Sequence, residues 1–331
     1  MRRRISRKRK SESGSALIAA LCLIFIVGML TASVLILSQI STYDVSAHTE
    51  LQRSAYVNEG VANRVQWLLA AEQNLFTDRR LGELDYTEYD YDRYMADGIT
   101  HEMDYHGTKV QFTITDARAG WDFSVRNYRS TLQRLGSPID TETETLDLLD
   151  VLAARIADYY DEDDEIGIDG MEADDYEAEN MSPLPRNSSN NVLREEFFYI
   201  KDFTALFPPD KFGRLSAVRL IRGPGGAPNF FTASPLQLKI YCNLEDEQIE
   251  EVIAARNIWF KERTLIRDQL DPLLYASLSG LSWRESGTYT VTVGPQEKAE
   301  RPSRRLVFTF ERFDVTGASD NNVKFIEWMQ F

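Results

Sequence analysis

An uncharged stretch near the N-terminus constrains this chain more than any other feature. No charged residue occurs from Ser15 to Tyr43, and residues 15–37 are almost wholly apolar. At roughly 1.5 Å per residue a helix over that apolar run is about 34 Å long, enough to cross the hydrocarbon core of a bilayer. The sequence therefore predicts a transmembrane helix over residues 15–40.

Basic residues before this stretch predict its orientation. Residues 1–14 hold seven Lys or Arg and one Glu, whereas the whole chain of 331 residues has a net charge of −15. By the positive-inside rule the N-terminus stays in the cytoplasm and the bulk of the chain lies across the membrane, in a single-pass topology. The acidic remainder excludes a nucleic-acid binder that works through a broadly basic surface.

A cleaved secretory signal peptide is the ordinary alternative to a retained membrane segment. Its apolar region normally spans roughly 7 to 15 residues and ends at a small-residue cleavage site. Here the apolar run is longer, and the small residue Gly14 lies between the basic leader and that run. Cleavage after Gly14 would leave the membrane segment attached. An uncleaved signal anchor is the main competing interpretation.

Sequence periodicity predicts one sheet interrupted by an insertion. A helical pattern of small and apolar residues continues the membrane segment through residues 41–72. Polar and apolar residues alternate in three further segments, and a fourth is less regular: residues 108–115, 288–293, 305–310 and 323–331. Helical patterns lie between them, in residues 146–156, 191–206 and 245–278. We predict an α+β fold: a long N-terminal helix and a β region over residues 73–117 and 286–331, with a large, mainly helical domain inserted at 118–285.

An acidic segment inside the insertion carries the most concentrated chemistry. Residues 158–179 contain twelve Asp or Glu and no Lys or Arg, a density that repels itself unless it is solvated or neutralised. Ca²⁺ is suited to neutralise it, because it accepts six to eight oxygen ligands in flexible geometry. With Asp161 as position 1 of an EF-hand-like loop, acids fall at the ligand positions 3, 5, 9 and 12, which are Asp163, Glu165, Asp169 and Glu172.

The match to an EF-hand is incomplete. Position 6 is Ile166, where the EF-hand turn requires Gly. The carboxylate spacing therefore suits a calcium loop that is not an EF-hand. A solvated acidic loop that binds no metal is the alternative.

Catalytic motifs are missing from the sequence. It contains no G-x-S-x-G, H-E-x-x-H or G-x-x-x-x-G-K-[ST] pattern, and its three histidines are scattered. We expect His101 and His106 to be solvated loop residues near a turn. Acids clustered in one loop suit a cation better than the flanking carboxylates of a glycosidase. Cys22 in the membrane segment and Cys242 in the external core are expected to remain unpaired. We predict a non-enzymatic protein.

The N-terminus resembles the class III signal of type IV pilins and type II secretion pseudopilins, in which the small residue before the apolar run is Gly. The resemblance implies that a prepilin peptidase cuts after Gly14 and that the new N-terminal residue, Ser15, is methylated. Most members have Glu at the fifth mature position, whereas this chain has Ala19. Lack of that Glu is characteristic of the K-type minor pseudopilins and fits a subunit at a filament tip, with no neighbour above it.

The acidic segment and the residues after it are similar to the general secretion pathway protein K family. Residues 158–163 (DYYDED), 170–176 (GMEADDY) and 194–200 (REEFFYI) resemble its D-W-x-D-x-D, G-A-E-D-x-x-Y and E-L-x-x-I series. Tyr159 replaces the usual Trp and Met171 the usual Ala. The resemblance implies a pilin-like fold whose inserted α-domain binds one or two Ca²⁺, with ligands at Asp161, Asp163, Glu165, Asp169, Glu172 and Asp175. Asp158 caps or braces the loop in this interpretation.

The resemblance also implies a function and partners. The chain would be a minor pseudopilin of the type II secretion system, in the inner membrane of a Gram-negative bacterium with its bulk in the periplasm. It would form or cap the tip of the periplasmic pseudopilus, with I-type, J-type and major pseudopilins as partners, and take part in protein export across the outer membrane. A minor pilin of a type IV pilus and, in a different class, a signal-anchored periplasmic hydrolase or ligand-binding domain are the alternatives.

Overall fold

The computed structural model shows an α+β fold, as the sequence predicts, with a long N-terminal helix, a five-stranded antiparallel sheet and an intervening helical region. It describes residues 13–75, 94–137, 142–181, 185, 188, 193–210, 213–220, 225–295, 302–311 and 324–331. Residues 1–12 of the predicted leader and residues 76–93 lie outside this set.

Helix α1 (Ser13–Leu75) is a single helix of 63 residues with two very different halves. In its first half every large apolar side chain from Leu17 to Val45 is exposed. Hydroxyl groups in this half donate to carbonyls four residues earlier, as in Thr31 to Val27 at 2.8 Å, so they are satisfied within the helix. Among the described residues, α1 is the one helix long and apolar enough to cross a membrane.

The second half of α1 packs against the sheet. Val61, Ala62, Val65 and Leu69 are fully buried, at the three- and four-residue spacing of one helix face. The Asn58 side-chain amide donates to the carbonyl of Arg304 at 2.7 Å and ties the helix to the chain entering the fourth strand. The helix predicted over residues 41–72 is therefore present, continuous with the apolar half.

The sheet contains five strands in sequence order, each antiparallel to its neighbours. They are β1 (Thr100–Tyr105), β2 (Thr108–Asp116), β3 (Thr288–Gly294), β4 (Leu306–Glu311) and β5 (Lys324–Gln330). Alternate residues of the three central strands point toward α1 and form one hydrophobic cluster with it: Val110, Phe112, Ile114, Tyr289, Val291, Val293, Leu306, Phe308 and Phe310. The four strands expected from alternation are β2 to β5.

Strand β1 was not predicted, and it corrects the expectation for His101. Met103 is the one buried residue of β1, so the sequence of this strand shows little alternation of apolar and polar residues. Its place in the sheet comes from its pairing with β2. His101 lies in this strand with a side chain only 18% exposed, and its ring stacks on Phe112 with centroids 5.2 Å apart. Its Nε2 lies 3.4 Å from Oδ1 of the buried Asp97. His106, by contrast, is in the β1–β2 turn with φ +51°.

The intervening helical region leaves the sheet at the end of β2 and returns at the start of β3, strands that are direct neighbours with Asp116 opposite Tyr289. Its described residues form α2 (Tyr128–Leu135), α3 (Thr143–Tyr160), α4 (Ala173–Ala178), α5 (Phe203–Leu206), α6 (Pro235–Cys242), α7 (Asp246–Glu262) and α8 (Pro272–Ser277), and three short 3₁₀ turns. The helical patterns at 191–206 and 245–278 are each broken, at Asp202 and Arg263, which have left-handed φ values of +64° and +57°.

Two hydrophobic clusters fill this region. One surrounds α2 and α3 and includes Phe123, Phe197 and Phe203. The other surrounds α6, α7 and α8 and includes the fully buried Trp259. Cys242 is buried in the second cluster and Cys22 is exposed on α1, and both are free thiols. The expectation that they do not pair agrees with this placement.

A buried ion cluster ties the last strand to the helical region. Oε1 of Glu327 in β5 accepts from Arg194 Nη2 at 2.7 Å and from Arg214 Nη2 at 2.6 Å, and Oε2 accepts from the Thr309 hydroxyl at 3.0 Å. Both carboxylate oxygens are thereby satisfied. The cluster holds the 3₁₀ turn at Arg194–Tyr199 against the sheet face opposite α1.

We predict that Glu327→Ala lowers the free energy of unfolding by about 3–5 kcal/mol, because the largely buried guanidinium groups of Arg194 and Arg214 lose this counter-charge, although Arg194 keeps its ion pair with Glu195. Thermal unfolding of the full chain in detergent measures the effect. Glu250→Ala, an exposed change on α7, is the matched control and should be nearly neutral. An equally small effect at Glu327 would show that the cluster does not hold the region to the sheet.

Candidate metal centre

The end of helix α3 places two carboxylates one turn apart. Leu149, Leu152 and Ile156 bury one face of α3, and Asp158 lies beside that face with 3% of its surface exposed. Asp161 follows as the C-cap residue, where the backbone turns to an extended conformation and its N–H donates to the carbonyl of Ala157 at 2.9 Å. Helix geometry therefore brings these two acids to the same point.

A third carboxylate comes from the start of helix α4. Glu172 is the N-cap of α4 and is 3% exposed. Its neighbours Met171 and Tyr176 belong to the hydrophobic cluster around α2 and α3, and this explains its burial. One carboxylate oxygen each from Asp158, Asp161 and Glu172 lies within 4.8 Å of the other two. We refer to these three residues as the acidic cluster.

The loop between α3 and α4 closes onto Asp158. The Gly167 N–H donates to Asp158 Oδ2 at 3.1 Å, and the Gly170 N–H donates to the Gly167 carbonyl at 3.0 Å. A Cβ atom on Gly170 would overlap the Asp158 carboxylate, and one on Gly167 would lie 2.9 Å from Asp158 Oδ1. The two glycines are needed here for close approach to the carboxylate.

Burial and mutual repulsion shift the titration of the cluster. Burial raises the pKa of Glu172 to about 7, and the negative charges of Asp161, Asp158, Asp164 and Asp163 add to the shift. Burial also raises the pKa of Asp161, with further contributions from the charges of Asp163 and Asp158. Both shifts express the cost of holding negative charge at this point without a counter-charge.

The same carboxylates have oxygens without a donor. Among the described residues, Oε1 and Oε2 of Glu172 and Oδ1 of Asp161 are buried and accept no hydrogen bond. Buried oxygens of this kind are costly unless a donor or a cation satisfies them. The cluster can hold a metal ion, and an all-oxygen donor set favours a hard cation such as Ca²⁺ over Zn²⁺.

The predicted ligands separate into two groups in the structure. Asp161 and Glu172 belong to the acidic cluster. The other four are not members of it: Asp163, Glu165 and Asp169 have exposed side chains, and Asp175 is partly buried and accepts from the Glu172 N–H at 3.1 Å. Asp169 has φ +62° and serves the turn of the loop through its backbone. The ligand assignment over all six residues stays a prediction.

Asp158 combines two roles, of which sequence reasoning found one. It braces the loop through Gly167, as expected, and it is also the third carboxylate of the acidic cluster. Its spacing of three residues from Asp161, at the end of a helix with an apolar stripe, was the available signal. Gly14 and Ser15, the predicted processing residues, lie in the first turn of α1; their processing stays a prediction.

Comparisons with known proteins found a similar solved structure, but no matching family model and no matching curated protein. Among solved structures this chain is similar to a chain of the GspK–GspI–GspJ complex from the type 2 secretion system of enterotoxigenic Escherichia coli, with 12% sequence identity and a TM-score of 0.41. The likeness covers 82% of this chain and 98% of that one.

We predict that Ca²⁺ raises the melting temperature of the full chain in detergent and that a chelator lowers it. Glu172→Gln should abolish the calcium response. It should also melt higher than the unsubstituted chain in chelator at neutral pH, because it removes a buried charge. Asp174→Asn, an exposed change on the same helix, is the control. An unchanged calcium response in Glu172→Gln would contradict the site.

The raised pKa of Glu172 also predicts a pH dependence in chelator. A raised acid pKa means that the folded state binds the proton more tightly than the unfolded chain, so stability falls as the pH rises. The loss should occur between the ordinary value of 4.5 and about 7 and amount to roughly 3 kcal/mol. Calcium should reduce this loss, because it takes the place of the proton. Melting curves across this pH range, with and without calcium, measure it.

We predict that Gly170→Ala weakens calcium binding at least about tenfold and lowers the melting temperature, because the new methyl group displaces Asp158 from the cluster. Gly225→Ala is the matched control, since a Cβ there meets no atom within 4 Å. Calcium titration followed by melting temperature checks both variants. Equal affinity in the two would show that the loop does not need its close approach to Asp158.

Proposed function

We propose that this chain is a non-enzymatic minor pseudopilin of the type II secretion system and that it forms or caps the tip of the periplasmic pseudopilus. The observation that carries the proposal is the division of α1 into an exposed apolar half and a half buried against the sheet. The apolar half then lies in the inner membrane before assembly, and among the apolar stems of other subunits afterwards.

The continuity of α1 argues against a cleaved secretory signal peptide. The helix runs without a break from Ser13 to Leu75, and its segment from Val61 to Leu69 is part of the sheet core. Removal of the apolar half would require a cut within this helix. The chain is therefore suited to keep its stem in the mature protein, as a filament subunit does.

The uncharged stem suits a tip position. A carboxylate at the fifth mature position would need a cationic partner in apolar surroundings, because an unpaired buried charge is costly. Ala19 makes no such demand. A subunit with no neighbour above it has no terminal amine to neutralise. The intervening helical region is large enough to hinder another subunit from stacking above.

The acidic cluster suits a calcium-stabilised periplasmic domain. Three clustered carboxylates repel one another without a cation, and burial raises the pKa of Asp161 and Glu172 among them. Ca²⁺ would hold α3 and α4 together through the loop. The proposed partners are the I-type, J-type and major pseudopilins, with the prepilin peptidase as the processing enzyme. The cell would be a Gram-negative bacterium.

Mass spectrometry of the mature N-terminus tests this function. We expect a chain that begins at methylated Ser15, and we expect deletion of its gene to stop protein export across the outer membrane. Gly14→Val should block cleavage and leave the leader attached, while Gly28→Val, within the same apolar half, should still be processed.

Three results would contradict the proposal. Retention of Met1 in the unsubstituted chain would favour an uncleaved anchor and with it a periplasmic hydrolase or ligand-binding domain. Loss of the whole apolar run would identify a secretory signal peptide. Correct processing, with loss of surface pili but normal protein export in the deletion strain, would assign the chain to a type IV pilus.

A further inference from the structure

Two isoleucines project from the loop that closes onto the acidic cluster. Ile166 is 59% exposed and Ile168 is 92% exposed, and only Gly167 separates them in sequence. A single exposed apolar residue is common on protein surfaces, but here two on one tight loop leave most of their side-chain surface uncovered by the described part of the chain. Their exposure lowers solubility and calls for a function.

The structure holds this pair in a fixed position. Gly167, between the two isoleucines, donates its N–H to the buried Asp158 at 3.1 Å, and its carbonyl accepts from the Gly170 N–H at 3.0 Å. The backbone that carries both side chains is therefore fastened to a member of the acidic cluster. A docking surface that is already ordered loses less entropy on binding.

The surface around the isoleucines is strongly negative. Five exposed acids lie in the same loop: Glu162, Asp163, Asp164, Glu165 and Asp169. This charge repels anionic lipid headgroups and nucleic acid, and it attracts Lys and Arg. The complementary surface is apolar at its centre and basic at its rim.

We propose that Ile166 and Ile168 form a calcium-ordered docking tip for a basic amphipathic helix of a partner protein. The grooves between side-chain ridges on the apolar face of such a helix accept aliphatic side chains. Its Lys and Arg residues pack their methylene groups beside the isoleucines and reach the surrounding carboxylates with their charged ends. The calcium dependence rests on the proposed metal site, because neutralisation of the acidic cluster holds Asp158 and the loop in place.

Binding of a defined helical peptide to the full chain tests the proposal. The chain is placed in nanodiscs of zwitterionic phosphatidylcholine, and the probe is a fluorescent helix of about five turns with Leu on one face and Lys on the other. Fluorescence anisotropy in calcium should show binding that weakens with salt. Empty nanodiscs and the same peptide with Glu in place of Lys are the controls and should not bind.

Variants separate docking from simple charge attraction. Ile166→Ser with Ile168→Ser should weaken peptide binding at least about tenfold while leaving the calcium-induced rise in melting temperature unchanged. Leu273→Ser, which changes an 83% exposed leucine on α8, is the matched control for Ile168→Ser and should bind normally. Chelator should weaken binding to the unsubstituted chain.

The outcomes distinguish this proposal from the metal site. Equal binding by the isoleucine variant, or no peptide binding at all, would overturn the docking tip even if calcium stabilises the protein. Isoleucine-dependent binding that is insensitive to calcium, in a chain that calcium does not stabilise, would support docking and overturn its calcium dependence together with the metal site.

Discussion

The packing of one face of α1 against the sheet is the interaction on which the rest of the structure depends. Val61, Ala62, Val65 and Leu69 complete a core that the sheet cannot bury by itself. Because the helix is continuous, this packing also fixes the apolar half as an extension with no cover from its own chain. The folded part and the apolar half of α1 are thus joined by one continuous helix, as the proposed filament subunit would require.

Electrostatic repulsion in the helical region gives a second constraint. The hydrophobic cluster around α2 and α3 takes in Met171 and Tyr176, and with them it buries Glu172 beside Asp158 and Asp161. Apolar burial therefore forces acids together that would otherwise separate in water. This conflict is costly for a purely structural loop, and a cation bound at the cluster would resolve it. The position of the two exposed isoleucines on the same loop also depends on this cluster, since Asp158 accepts the N–H of Gly167 between them.

Sequence patterns predicted the parts of the fold that have one dominant period. Alternation located β2, β3 and β4 and the helical spacing located α1 and α3, because each of these elements faces a large core. It missed β1, where a single residue, Met103, is buried, and it treated His101 as a loop residue although pairing with β2 places its ring against Phe112. The sequence predicted longer helices than those that end at Asp202 and Arg263. Both residues have a left-handed backbone, which sequence patterns seldom indicate for residues other than Gly.

The sequence by itself determined the exposed apolar stem, the α+β class and the presence of an acidic loop suited to calcium, because hydropathy and charge are properties of the residues themselves. Only the tertiary structure decided which acids meet. Asp158 joins Asp161 and Glu172 because the end of α3 lies beside the start of α4 in space and two glycines allow the loop between them to close. The other acids of the loop are exposed on its outer side: Asp163, Glu165 and Asp169. Distances between residues that are far apart in the loop depend on tertiary packing, which the spacing of residues in the sequence does not predict.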